Sequence, residues 1–439
     1  MKGATTRRRG ETVCVSASSG AATAPDDIFD PRVYERGIPY DAYARLRESA
    51  PVSWQAEPAV LGWPSGPGFW AVTRYDDVRH VSRTPEVFSA WAGCTQLRDP
   101  APEDLDFTRQ MMLNMDPPMH NRLRRTVSGA FTPARVGRFS EMIRRRAVAL
   151  VDEVCERGEC DFAADVADEL PLITLAEIMG VPESDRQLMF RWANRIIGYQ
   201  DDEFASPDDG GRPKVNPRSR AALQDMFDYA HELASYKKEH PADDLISTLV
   251  HAEVDGRRLS DEEFELFFFL LSVAGNDTTR SAIPAGVLAL MENPDQRRRL
   301  VADPSLMPSA VEEILRFCPP VIHFRRTAVA GVTLRGAEIR AGDKVVVFYP
   351  AANRDPSVFA SPDVFDIGRT PNDHVSFGFG PHVCLGAGFA RLQMSHLLTE
   401  VLNRMPQLEQ AGPVVRMRSN FIAGIKRLPV RFRPTPRAS

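Results

Sequence analysis

Residues 377–386 read Phe-Gly-Phe-Gly-Pro-His-Val-Cys-Leu-Gly, and a helical pattern follows over residues 385–402. Gly378 and Gly380 let the backbone turn tightly and approach a flat partner closely. Cys384 then stands where a loop meets the start of a helix. Helix N-termini favour negative charge, so a thiolate is stabilised there. No second cysteine or histidine lies at metal-cage spacing. Such a thiolate suits a metal that brings its own equatorial ligands, which is haem iron with a proximal cysteine. A lone cysteine is more often a small buried hydrophobe. Three glycines, a Pro-His pair and a following helix shift the balance towards a ligand.

Three further constellations could do chemistry. Ala274-Gly275-Asn276-Asp277-Thr278-Thr279 falls in the middle of a long apolar helix over residues 259–292. A glycine, an acid and two threonines are locally unfavourable there. A mid-helix threonine hydroxyl can bond the carbonyl one turn back and open a groove for oxygen and water. A kink with satisfied polar groups is the plainer alternative, and Pro284 should distort the same helix. Glu313 and Arg316, three residues apart, meet on one helix face. With a third partner they would form a buried ion network; alone they would be a weak surface pair. His120, Arg124, Arg326 and His382 are cationic donors on segments flanking the cysteine loop, able to bind buried carboxylates.

The elements that must position these groups are mostly helical. Helices are expected over residues 40–49, 75–83, 120–130, 133–157, 167–179, 183–198, 221–239 and 308–317. Ser260-Asp261-Glu262-Glu263 opens the longest helix with a capping-box signature. Strand signals fall at 52–54, 68–73, 321–348 and 414–432. Residues 88–112 show no period and read as a long loop; residues 201–217 read as a polar loop or lid. The fold class is mainly α with minor β, in one domain over residues 28–439 after a disordered tail at 1–27.

The chain has 439 residues, a net charge of −5 and 43% hydrophobic residues, enough for a large core and too near neutral for nucleic acid as main partner. Its six cysteines (Cys14, Cys94, Cys155, Cys160, Cys318, Cys384) form no C-x-x-C pair, as expected of a reduced, cytoplasmic protein. No apolar run reaches the ~18 residues that would span a bilayer.

Taken in chain order, the motifs are Asp116-Pro117-Pro118-x-His120-x-x-x-Arg124, Ala274-Gly275-x-Asp277-Thr278-Thr279, Glu313-x-x-Arg316, Arg326-Thr327-Ala328, Asn353-Arg354-Asp355-Pro356 and the Cys384 loop. This order and spacing resembles a soluble bacterial cytochrome P450. The resemblance implies a triangular helical prism with haem b between the central helix and the cysteine-loop helix. It implies Cys384 as iron ligand, Phe377 shielding the sulfur, Gly386 beside the cofactor, and His120, Arg124, Arg326 and His382 on the propionates. Asp277 and Thr278 would deliver protons to dioxygen. Glu313, Arg316 and Arg354 would hold the cysteine-loop fold.

The implied activity is insertion of one oxygen atom into a C–H bond of a hydrophobic small molecule. No G-x-G-x-x-G follows a strand, so electrons from NAD(P)H would arrive through a separate ferredoxin and ferredoxin reductase. Arg122, Arg125 and Arg391 are a candidate docking patch on a monomer. Residues 112–116, 324–328 and 420–426 look similar to the actinobacterial group that oxidises sterols and methyl-branched lipids. Candidate pocket residues are Trp91, Phe268, Val273, Ala274, Val321, His323 and Ile422, mostly apolar. A natural-product tailoring oxidase performing several oxidations, or a reaction other than hydroxylation, fits the same pocket, and a peroxygenase or haem-binding sensor is the remoter alternative.

Overall fold

The computed structural model describes residues 27–204, 219–254 and 256–438. The tail expected at 1–27 lies almost wholly outside these residues, as does most of the loop expected at 201–217.

The central helix runs Asp261–Glu292 and continues through Pro284. Its start is fixed by a capping box. The Glu263 N–H donates to Ser260 Oγ at 3.1 Å, and the Ser260 N–H donates to Glu263 Oε2 at 3.1 Å. A helix apolar on all faces must be buried on all faces. Phe264, Phe267, Phe268 and Phe269 pack in a core with Met112, Leu172, Trp192 and Phe227. Further along, Ile283 and Leu288 share a second core with Ile314 and Leu397. Each phenylalanine removed from water contributes about 1.5–3 kcal/mol. Helices Glu169–Met179, Met307–Phe317 and Ala387–Arg404 all contact the central helix.

A five-stranded sheet carries the strand order Val52–Gln55, Phe69–Val72, Lys344–Phe348, His323–Ala328, Phe88–Ser89. Its pairs are antiparallel except Lys344–Phe348 against Phe69–Val72, where Val346 sits opposite Ala71. The run Val345-Val346-Val347 is buried throughout, as a strand covered on both faces requires.

Two segments differ from expectation. Residues 133–157 form two helices, Pro133–Arg138 and Ser140–Val154, rather than one. The break falls at Phe139, whose ring packs 5.7 Å from that of Phe389. Residues 88–112 are not a plain loop. They hold the strand Phe88–Ser89, the helix Leu105–Arg109 and short 3-10 turns, each too brief to show a period. Asp116 Oδ1 accepts from the Ala90 N–H at 2.8 Å, and Asn114 Oδ1 accepts from the Thr95 N–H at 3.0 Å, so side chains tie this stretch down.

Glu313 and Arg316 are both 0% exposed and form a bidentate pair at 2.8 Å. Arg316 also donates to the carbonyls of Asn353 (2.9 Å) and Pro362 (2.8 Å). Glu313 accepts from the Asp366 N–H (2.9 Å) and Arg369 Nε (3.1 Å). The third member of the network is therefore Arg369, not Arg354. Arg354 instead pairs with Asp363 at 2.8 Å and stacks on Tyr40 and Phe317, because those rings cover its guanidinium. Glu313→Gln leaves two buried guanidinium groups undercompensated. The expected cost is about 3–5 kcal/mol, read as a lowered urea midpoint; an unchanged midpoint would show that the network is not structural.

Candidate active site

The cysteine loop adopts the backbone its glycines allow. Gly378 and Gly380 have φ of 74° and 73°. A Cβ on Gly380 would lie 2.9 Å from the Ser82 carbonyl oxygen, so no side chain fits there. The Cys384 N–H closes the loop on the Phe377 carbonyl at 2.8 Å. Gly386 is the N-cap of Ala387–Arg404, and a Cβ there would meet nothing within 4 Å. Cys384 lies deep in the fold, yet its side chain is accessible because it opens onto an internal cavity. Burial pushes its thiol up. The Gly386 N–H, Arg124, Arg391 and the Ala387 N–H pull it down towards the thiolate.

The cavity, of about 240 Å³, lies between this loop and the central helix. Ala274 is exposed in the middle of an otherwise buried helix, because it faces this space. Thr278 lines the same wall, and its hydroxyl donates to the Ala274 carbonyl at 2.8 Å. That is the one-turn back-bond expected of a mid-helix threonine. Asp277 is off the wall and fully buried, with its Oδ1 3.0 Å from Arg280 Nε. The contact is ionic only, since neither carboxylate oxygen has an aligned hydrogen-bond donor among the described residues. Burial pushes the Asp277 carboxyl up, and Arg280 opposes the shift.

His120, Arg124, Arg326 and His382 line one cavity together. The two imidazoles are 4.2 Å apart between centroids. Burial lowers the pKa of all four; Arg326, His120 and Arg124 lower His382 further by repulsion. Arg326 donates to the Arg325 carbonyl at 2.8 Å, while His382 Nε2 is buried without a partner among the described residues. Among the described residues, no carboxylate pairs with any of the four. Gathered cations with an orphaned donor fit a ligand carrying carboxylates. The open face at Gly386 and the thiol below fit a flat, metal-centred one. The residues present therefore suit haem: Cys384 could hold the iron, and the two arginines and two histidines could hold two propionates.

Of the seven expected pocket residues, Ala274 and Val321 line the cavity. Trp91, Phe268, Val273, His323 and Ile422 are not among the lining residues. Leu113, Leu270, Leu271 and Phe324 take their place. The signal for two of them was in the sequence: stepping back from Thr278 by three or four residues reaches Ala274, then Leu270 and Leu271. Phe268 and Val273 fall off that helical face. Adjacent strand residues point oppositely, so with Phe324 on the cavity, His323 turns away, against Phe348 and Phe421. The expected basic docking patch is also altered. Arg122 pairs with Glu263 and Arg391 with Glu312, so neither charge stands alone.

Comparison with known proteins agrees with this geometry. A steroid C26-monooxygenase of Rhodococcus jostii (strain RHA1) is 38% identical over 93% of this chain and 84% of its own length. The chain is a cytochrome P450. The cytochrome P450 family model matches residues 212–410. A methyl-branched lipid omega-hydroxylase of Mycobacterium tuberculosis (strain ATCC 25618 / H37Rv) is 42% identical over 89% of this chain and 90% of its own. A Mycobacterium marinum cytochrome P450 solved in complex with pseudoionone is 39% identical with a TM-score of 0.82, covering 94% of this chain and 100% of that one. The protein is thus a P450 monooxygenase with the P450 fold, and its family uses haem iron and dioxygen. Among the described residues, no helix is long and apolar enough to cross a membrane.

Two outcomes follow from this P450 site. Cys384→Ser should abolish the thiolate spectrum of the reduced carbon-monoxide complex; a retained spectrum would put the ligand elsewhere. His323 is pulled down to about 3 by burial, and neither ring nitrogen has an aligned partner among the described residues. The unfolded chain takes up this proton near 6.5, so the unfolded state binds more protons between about 6.5 and 3. Stability at this site is therefore lost as pH falls through that window. His323→Phe should flatten the acid limb of the stability profile below pH ~6.5; an unchanged limb would refute the assignment.

Proposed function

We propose that this P450 hydroxylates a C–H bond of a sterol-like or methyl-branched lipid substrate, with electrons drawn from NAD(P)H through a separate ferredoxin and its reductase. The observation that carries this reading is the leucine-rich wall facing Cys384 across the cavity, in a chain whose relatives are named for steroid and branched-lipid oxidation.

Haem iron, when bound to the Cys384 thiolate, supplies the reductive activation of dioxygen. The protein supplies the site around it. Leu113, Leu270, Leu271 and Phe324 give the substrate an apolar surface and exclude water. His120, Arg124, Arg326 and His382 would hold the propionates, whose charge would strengthen the hydrogen bonds. Thr278 lines the cavity, and its hydroxyl would pass a proton inward on releasing its bond to the Ala274 carbonyl. Asp277, one residue away, is the acid that would replenish that proton; burial pushes its carboxyl up and Arg280 opposes the shift. Because Asp277 faces Arg280 rather than the cavity, that transfer needs a side-chain turn or a bridging water.

Thr278→Ala should uncouple NAD(P)H consumption from product by about 100-fold, the low end of what one acid–base group contributes. Coupling that stays intact removes Thr278 from the relay. The substrate class is tested by absorbance titration of the ferric enzyme with a sterol, a methyl-branched fatty acid, a diterpenoid acid and a macrolide. A high-spin shift with either of the first two supports the proposal. A shift only with the macrolide or the diterpenoid, or with none, turns the assignment to a dedicated biosynthetic intermediate.

A further inference from the structure

Glu312, one residue before the buried Glu313, has no part in the Arg316 network. It lies on the same helix, Met307–Phe317, and faces the cysteine loop instead. Arg391 meets it with both arms: Nε to Oε1 at 2.6 Å and Nη2 to Oε2 at 2.8 Å. His374 Nε2 lies 3.2 Å from Oε2. That contact is off the line of a hydrogen bond but within ion-pair reach. The His374 tautomer is fixed from the other side. Its Nδ1 accepts from the Ser376 N–H at 3.3 Å, so a neutral ring carries its proton on Nε2, towards Glu312. The ring is 2% exposed. Against the upward push of burial, Arg391 and His374 hold the Glu312 carboxyl at about 2.

Both partners of Glu312 touch the same ring. The Arg391 guanidinium stands 4.5 Å from the Phe377 centroid, and the His374 ring lies 5.9 Å from it at 44°. Phe377 in turn accepts the Cys384 N–H at 2.8 Å and lines the cavity. Arg391 also acts electrostatically on the Cys384 sulfur. One carboxylate thus fixes two of the neighbours of the Phe377 ring, whose carbonyl holds the Cys384 N–H, and it offsets a cation that acts on the sulfur.

We propose that Glu312 is a positioning residue that clamps His374 and Arg391 against Phe377 and so sets the reduction potential of the thiolate-bound haem. The proposal rests on Cys384 being the haem ligand. Groups that do not touch a metal tune it through the orientation and charge around its ligands. The sign follows from charge. Removing Glu312 leaves the Arg391 cation uncompensated beside a site that gains an electron on reduction, so the potential rises. Removing the Arg391 cation leaves Glu312 uncompensated, so the potential falls.

The test is equilibrium dye titration of the purified holoenzyme, with no redox partner present. Wild type is first checked for the thiolate carbon-monoxide spectrum. Its absence would overturn the haem-thiolate reading and this proposal with it, while its presence isolates the question of Glu312. Glu312→Gln should then raise the potential and Arg391→Gln should lower it, with the double variant between them. Glu312→Asp, which keeps the charge, should lie nearer to wild type than Glu312→Gln. Should Glu312→Gln fail to hold haem, Arg391→Gln on its half-exposed side chain carries the test: a lowered potential supports the clamp, and an unchanged or raised one overturns it. Shifts of the same sign in both variants, or melting temperatures that fall while both potentials stay put, would reduce the cluster to packing.

Discussion

A guanidinium with no access to water must find every partner in protein, and Arg316 is such a group. Its donors draw in the carbonyls of Asn353 and Pro362, while Glu313 gathers the Asp366 N–H, Arg369 and Asn372. An irregular stretch of chain is thereby wrapped on one helix end. The order it gains is passed on: Asn353 donates to Ser376 Oγ at 2.7 Å and accepts from the Val375 N–H at 2.9 Å, and Ser376 donates to the Leu315 carbonyl at 2.6 Å. Phe377 and the cysteine loop follow directly. The sulfur of Cys384 is placed, in the end, by hydrogen bonds that begin at a buried arginine.

The two sides of the cavity are built on opposite electrostatic terms. On the loop side, four cationic or polar groups crowd together and lose solvent, which is stable only with anionic company. On the helix side, leucines and Ala274 leave little that is polar apart from Thr278 and Thr279. Asp277 sits behind that hydroxyl, in contact with Arg280, so charge is kept out of the apolar chamber while remaining one residue away.

What the sequence revealed divides along a physical line. The Cys384 loop, the capping box at Ser260 and the Glu313–Arg316 pair were legible because each depends on local spacing. So were most helices, since burial enforces their period. The wall opposite Cys384 was only half legible. Thr278 and Ala274 stood out as misfits, but Leu270 and Leu271 look like any core leucine, and only the cavity distinguishes them. The Arg369 partner of Glu313 and the burial of Arg354 under Tyr40 and Phe317 join residues far apart in the chain, which spacing does not encode. The ring that Phe139 meets at the split, Phe389, is likewise on another helix far along the chain.

The parallel pairing of Trp70 with Val345 bears on how the molecule is made. A two-stranded hairpin such as Val52–Gln55 with Phe69–Val72 is marginal on its own. Its stabilising neighbour leaves the ribosome only after the whole central helix has been synthesised. During translation the hydrophobic face of that hairpin, with Phe69 and Ala71, has Phe29 and Tyr43 beside it but waits for Val346 and Phe348. Pairings this distant in sequence fold slowly and expose strand edges meanwhile. Synthesis of the amino-terminal part is thus the interval in which this P450 most needs chaperone cover, well before any cofactor can bind.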